Sequence, residues 1–186
     1  MKHTEIEVRF LEIDTDALKA RLREVGAEDH NESLLEEVIV YDEKLEWIKE
    51  RRFMRLRTKG GTTVLTYKEH PEEPSAEALE IEFTVGSGED ALALLGKLGF
   101  VGYRRQQKRR HSFTYKGVVI DIDTWPKIPP YVELEGESLD SIKAVAQDLS
   151  LSWDDVVYDS AREVIENMYG IPVGTMRYFT FDRFED

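Results

Sequence analysis

Four stretches of the chain carry two acids separated by one aliphatic residue: Glu5-Ile6-Glu7, Glu80-Ile81-Glu82, Asp121-Ile122-Asp123 and Glu133-Leu134-Glu135. In a strand, side chains two residues apart share a face and the residue between them points the other way. Each stretch is therefore ionised on one side and apolar on the other, and Val8, Phe83, Ile120 and Val132 extend the apolar side. Arg55/Arg57 and Lys108/Arg110 repeat the pattern with bases, and Arg9 and Lys68 stand in matching phase. One such pair alone reads as a solvated outer face, with cross-strand ion pairs contributing under about 1 kcal/mol each. Six pairs in phase, beside amphipathic helices that need the apolar side, read differently. One face becomes a helix-covered core and the other a field of eight carboxylates and six cations. If that sheet closes, the charged face is the interior, where charges persist only when paired, hydrated or bound to ions and ligands.

Alternation and turn residues set the order of elements. Strands are expected at 4–13, 34–41, 51–58, 62–69, 78–85, 101–116, 118–124 and 131–137, with a hairpin around Gly60-Gly61. A helix with Asp14 or Thr15 as N-cap carries Leu18, Leu22 and Val25 and stops at Gly26. A second spans 88–98, with a capping box from Ser87 to Asp90 and Gly99 as its stop. Helical stretches follow at 138–149 and 155–169, and the aromatic, acidic tail 171–186 receives no assignment. No linker divides the 186 residues, so they read as one α+β domain. Residues 5–26 resemble 80–99, each an acidic strand followed by an Asp-Ala-Leu helix ending in Gly. A duplicated unit of this kind can close into a pseudo-symmetric sheet or barrel.

The chain holds 25 Lys and Arg against 38 Asp and Glu, a formal net charge of -13. Such a field repels polyanions, which argues against duplex nucleic acid and membranes as partners. The longest apolar run, Ala91 to Leu95, is far too short to span a bilayer as a helix. Met1 to Glu5 lead directly into a strand pattern with no signal-peptide core, so cytoplasmic residence is the expectation. The absence of Cys excludes disulfides, thiolate metal sites and a Cys nucleophile. The four His lack metal-ligand spacing, and Ser160 has no matching base. The charge is unevenly spread. Residues 51–68 and 104–116 hold six Lys or Arg each and no acid. Carboxylate pairs that offer only oxygen suit Mg²⁺ or Mn²⁺. Clustered Arg and Lys suit phosphate oxygens. Both on one face point to a metal-bound polyphosphate.

Glu5-Ile-Glu7-Val-Arg9 resembles the E-x-E-x-K signature that opens the CYTH superfamily, the triphosphate tunnel metalloenzymes. That group includes class IV adenylyl cyclases, thiamine triphosphatases and inorganic triphosphatases. The likeness continues in order through Arg55-Leu-Arg57, Thr66-Tyr-Lys68, Glu80-Ile-Glu82, Lys108-Arg-Arg110, and Asp123 followed by Glu133-Leu-Glu135. It covers residues 1–137 and, more loosely, the helices to 170. It implies an eight-stranded antiparallel β-barrel, a tunnel open at both ends with helices packed outside.

In that resemblance Arg9, Arg55, Arg57, Lys68, Lys108 and Arg110 would hold the triphosphate. Glu5, Glu7, Glu133 and Glu135, with Asp123 and Glu80/Glu82, would hold one or two Mg²⁺ or Mn²⁺ ions. Glu5, Glu7, Arg9, Glu133 and Glu135 form the implied catalytic set. The implied activity is release of phosphate from inorganic tripolyphosphate, a nucleoside triphosphate or thiamine triphosphate by metal-activated water. Class IV-type conversion of ATP to cyclic AMP and pyrophosphate is one alternative, and a non-catalytic polyphosphate-binding module another. Recognition of an RNA 5′-triphosphate end is a third, since a tunnel admits a terminus. Trp125 is a candidate to touch a base or thiamine ring, and Lys127 a phosphate. Whether the tail closes the tunnel or makes a homodimer stays open. Arg9 departs from the signature Lys: it can clamp phosphate but cannot give up a proton. On this basis Arg9→Lys is expected to preserve or raise turnover.

Overall fold

The computed structural model describes residues 2–72 and 75–185. The alternating stretches form β1 (Lys2–Phe10), β2 (Glu28–Asp42), β3 (Arg52–Lys59), β4 (Thr62–Glu69), β5 (Glu77–Val85), β6 (Phe100–Tyr115), β7 (Val118–Thr124) and β8 (Tyr131–Glu135). Helix α1 (Thr15–Glu24) follows β1, the single turn α2 (Glu46–Lys49) follows β2, α3 (Gly88–Lys97) follows β5 and α4 (Leu139–Asp148) follows β8. The first eight strands neighbour one another in the order β6-β2-β3-β4-β5-β1-β8-β7, and β7 returns to β6, so the antiparallel sheet closes into a barrel. This is the expected α+β barrel. Exchanging β1–β4 with β5–β8 maps the strand order onto itself. Apart from α2, each half reads strand, helix, three strands, which is the arrangement a duplicated unit gives.

The apolar outer face explains where the helices sit. Val8, Phe10, Ile120, Ile122, Val132 and Leu134 pack against Leu18 and Leu22 of α1 and Ile142, Val145 and Ala146 of α4. Leu92 and Leu95 of α3 cover Val40, Met54 and Leu65. Asp14 caps α1 by accepting from the Asp16 and Ala17 N–H groups at 3.1 and 3.0 Å. Gly26, at φ +75°, lets the chain leave the helix in a conformation costly for other residues. Among the described residues no helix is long and apolar enough to cross a membrane.

Besides the turn α2, which is not among the expected elements, and β1, which ends at Phe10 rather than at residue 13, the structure departs from the sequence expectation in three places. β2 begins six residues early, because residues 28–33 have no apolar alternation of their own but find partners on the long β6, from Glu28 opposite Thr114 to Ser33 opposite Arg110. The helix expected over 155–169 is broken. Trp153–Asp155 make a 3₁₀ turn, and Val157 exchanges two main-chain hydrogen bonds of 2.9 Å with Arg9. Ser160 and Glu163 then form a capping box that starts α5 (Ala161–Glu163), which runs into a π-helical turn (Val164–Met168).

Finally, the tail is part of the domain. β9 (Tyr178–Phe179) pairs parallel with β6 at Arg105 and Gln106, on the stretch that β7 leaves free by joining β6 only from Arg109 onward. β10 (Phe184–Glu185) pairs with β9. Phe179 stacks on Trp125 at 5.9 Å within a cluster that includes Tyr131, Ile165, Val173 and Met176. The C-terminal segment thus meets the barrel at the end where β1, β2 and β7 finish. Removing the fully buried Phe179 ring in Phe179→Ala should cost about 3–5 kcal/mol in urea unfolding followed by Trp fluorescence. A loss below about 1 kcal/mol would show that the tail is not part of this core.

Candidate active site

The barrel encloses a cavity of about 280 Å³, lined by the charged faces of its strands. Ten Lys and Arg side chains and eight carboxylates line it, so a chain of net charge -13 has a cationic interior. Strand phase puts them there. Arg9 lies opposite Glu133, Glu7 opposite Glu135, Lys68 opposite Glu80 and Arg57 opposite Glu37.

Three groups of ion pairs organise this interior. In the first, Glu133 accepts from Arg9 Nε at 2.9 Å and pairs with Arg110. Asp123, with no solvent exposure, accepts from Lys108 Nζ and from Arg110 Nε and Nη2, each at 2.6 Å. In the second, the Lys68 ammonium donates to Glu7 at 3.0 Å, pairs with Glu5, and stands 3.9 Å from Glu80. In the third, Glu37 accepts from Arg57 Nε at 2.7 Å and Gln106 Nε2 at 2.6 Å. Arg104 joins Gln106 to the Val173 carbonyl, at 2.8 Å on each side. Arg55 stands apart. Its Nε is buried without a hydrogen-bond partner, although the charges of Glu37, Glu80 and Glu5 act on the guanidinium.

Proton affinities follow these pairings. Burial alone would raise Glu7, but Arg9 and then Lys68 outweigh it and hold the carboxyl far below the usual range. Glu133 is held low in the same way by Arg9, Lys108 and Arg110. Glu80 and Glu135 go the other way. Burial, and after it the nearby Glu5 charge, pushes each up to about 7. Burial lowers Arg55, and Arg57 adds to the effect. Burial, reinforced by Lys68, brings His70 down to about 4, so the imidazole stacked on Phe53 is neutral near pH 7.

The acids around Lys68 therefore hold more negative charge than one ammonium balances. Glu80 Oε2 is buried without a hydrogen bond, and the donor set there is all oxygen. That chemistry fits a hard divalent cation. Among the described residues no three acids are already arranged as a cage, and the Lys68 ammonium sits among them instead.

Of the residues singled out in the sequence, Glu5, Glu7, Arg9, Arg55, Arg57, Lys68, Glu80, Glu82, Lys108, Arg110, Glu133 and Glu135 all line the cavity. Asp123 does not; it lies behind Lys108 and Arg110 as their counter-ion. Trp125 lines the cavity with its ring 5.0 Å from Lys108 Nζ, while Lys127 is exposed outside it. Sequence reasoning missed Arg104 and Gln106, although stepping back by twos from Arg110 and Lys108 reaches both. It also missed Glu37, because Glu36-Glu37 is acidic in either phase. Arg51 and Glu163, paired at 2.5 Å, come from a loop and a segment whose contact no local pattern announces.

The CYTH domain pattern matches residues 3–157, and the chain belongs to that family. Solved structures of the same fold include a protein from Pyrococcus horikoshii, 25% identical, with a TM-score of 0.73 over 86% of this chain and 98% of that one. A candidate adenylate cyclase from Vibrio parahaemolyticus is 16% identical, with a TM-score of 0.76 over 88% and 98%. A candidate adenylyl cyclase from Hippeastrum, in which a triphosphatase activity dominates, is 13% identical, with a TM-score of 0.64 over 91% and 96%. No curated protein matches the chain significantly.

The Glu135 shift has a signed consequence. A carboxyl that titrates near 4.5 unfolded and about 7 folded binds its proton preferentially in the native state. Its stabilising contribution is present below about 4.5 and is lost as pH rises through about 7. In chelator-treated protein, the stability of wild type relative to Glu135→Gln should fall between pH 5 and 7.5 in paired thermal melts. A difference that does not vary with pH would contradict the assignment.

Proposed function

We propose that this member of the CYTH domain family is a divalent-cation-dependent enzyme that releases phosphate from a small triphosphate. The observation that carries the proposal is the cationic interior of an acidic chain, with the Arg55 Nε buried there without a hydrogen-bond partner. A buried N–H without an acceptor is costly, and an anion that enters beside it removes the cost. Arg55 and Arg57 would grip phosphoryl oxygens from one wall, and Lys108, Arg110 and Lys68 from the others. Their charges also favour negative charge building on the leaving oxygen as the anhydride P–O bond breaks and water adds to the terminal phosphorus.

Glu5, Glu80 and Glu135, with Glu7 and Glu82 adjoining, would hold Mg²⁺ or Mn²⁺. When bound, such a cation supplies charge neutralisation at phosphate and a more reactive attacking oxygen. Asp123 and Glu133 serve as counter-ions that hold Lys108, Arg110 and Arg9 in place. A second reading, cyclisation of ATP, draws support from the apolar part of the lining, where Tyr41, Trp47, Phe53 and Trp125 could receive a base.

Tripolyphosphate, ATP and thiamine triphosphate should each be assayed with Mg²⁺ and with Mn²⁺. Cation-dependent release of inorganic phosphate is expected. Arg55→Gln should lower kcat/KM by roughly 10- to 100-fold, the scale of a lost charged hydrogen bond. Cyclic AMP with pyrophosphate would move the conclusion to the cyclase reading. Ligand-dependent thermal stabilisation without turnover would leave a binding module, and an Arg55→Gln variant as active as wild type would refute the site.

A further inference from the structure

We infer that Arg9 is a positioning residue rather than a phosphate ligand: it locks Glu7 and Glu133 to each other and to the C-terminal segment. The inference rests on the triphosphate reading above and assigns Arg9 a different part in it. The side chain is 3% exposed, and each of its nitrogens meets an acceptor. Nε donates to Glu133 Oε1 at 2.9 Å, and Nη2 lies 2.8 Å from both Glu133 Oε1 and Glu7 Oε1. Nη1 donates to the Asp159 carbonyl at 2.7 Å. Two main-chain hydrogen bonds of 2.9 Å between Arg9 and Val157 hold the same segment two residues earlier.

These contacts differ in kind from the carboxylate pairings of Lys68, Lys108 and Arg110; Arg104, on the Val173 carbonyl, resembles Arg9. A carboxylate can turn from a base to an arriving metal ion, but a main-chain carbonyl fixed by its own segment cannot leave. Arg55 is the opposite case, with its Nε buried and free of any hydrogen bond. Arg9 acts on the phosphate grip through shared partners. Glu7 also accepts from Lys68 at 3.0 Å, and Glu133 also pairs with Arg110. One guanidinium therefore sets two carboxylates, and each carboxylate sets a cation on another strand. Misplacing such groups by a fraction of an ångström weakens charge stabilisation at the reacting phosphoryl group without removing a substrate contact.

Lysine cannot substitute in this role. It brings one nitrogen, whereas the three acceptors belong to β1, β8 and the C-terminal segment. At least one buried acceptor would lose its donor. The expectation drawn from the family signature, that Arg9→Lys preserves or raises turnover, is thereby reversed.

The test compares Arg9→Lys with Arg55→Gln, using tripolyphosphate and Mg²⁺ or Mn²⁺. Arg9→Lys should lower kcat roughly 10- to 100-fold, with KM within about twofold of wild type. It should also speed amide hydrogen exchange across 157–176, which Arg55→Gln should leave unchanged while raising KM. A KM rise in Arg9→Lys like that of Arg55→Gln, with exchange at 157–176 unaltered, overturns the inference. Wild-type protein gives a check that needs no folded variant. Its Arg9 Nε–H signal, observed by side-chain ¹⁵N NMR, should hold its position as tripolyphosphate is added and the Arg55 signal moves. An Arg9 shift as large as that of Arg55 also overturns it. If wild type neither binds nor cleaves any triphosphate, the triphosphate reading fails. Hydrogen exchange in Arg9→Lys then decides the Arg9 lock by itself: faster exchange at 157–176 supports it, and unchanged exchange overturns it.

Discussion

Closure of the sheet, where β7 returns to β6, is the constraint on which the rest of the structure depends. An open sheet with this sequence would leave its ionised face in water, where ion pairs contribute little. Closure carries the same side chains into a narrow interior, where each charge needs a partner. The consequences reach every layer. Helices must cover the outer face because it is the apolar one, and Glu133 must serve Arg9 and Arg110 together. The C-terminal segment comes to the barrel end to meet Arg9, Arg51 and Arg104.

An interior of this kind is a poor choice if stability alone were at stake. Well-packed apolar replacements for a buried ion pair are often neutral or stabilising, whereas loss of one partner costs several kcal/mol. Charges retained at this density fit an interior that takes up other charges. The two sides of the cavity divide the work. Around Lys68, the acids exceed the bases and two carboxyls bind protons up to about pH 7. Around Arg55 and Arg57, the Arg55 Nε lacks a hydrogen-bond partner, although Glu37, Glu80 and Glu5 act on its charge. The proposed divalent cation and phosphate chain, bound side by side, would complement both.

Much of this was legible in the sequence, for a physical reason. Strand phase is strict, so Glu5-Ile-Glu7 or Lys108-Arg-Arg110 cannot place its two charges on opposite faces without breaking the strand. The cavity-lining signature residues follow from that rule. Where phase is ambiguous, the reading failed. Glu36 and Glu37 are both acidic, and only pairing with Arg57 and Gln106 shows that Glu37 points inward. Asp123 has the right phase yet lies behind the bases rather than in the cavity, because Lys108 and Arg110, the latter directly opposite it, bond its short carboxylate and cover it. The broken helix at 155–169 failed for a related reason. Val156-Val157-Tyr158 serves a helix or an extended segment equally well, and the choice was made by the main chain of Arg9, 148 positions earlier than Val157.

We propose that the interior takes up a divalent cation and a polyphosphate together. Calorimetric titration of tripolyphosphate into chelator-treated protein, with and without added Mg²⁺, tests it most directly. One tripolyphosphate per chain, bound more tightly when the cation is present, is the expected result. Absence of binding in both conditions, or several weak sites indifferent to Mg²⁺, would contradict it.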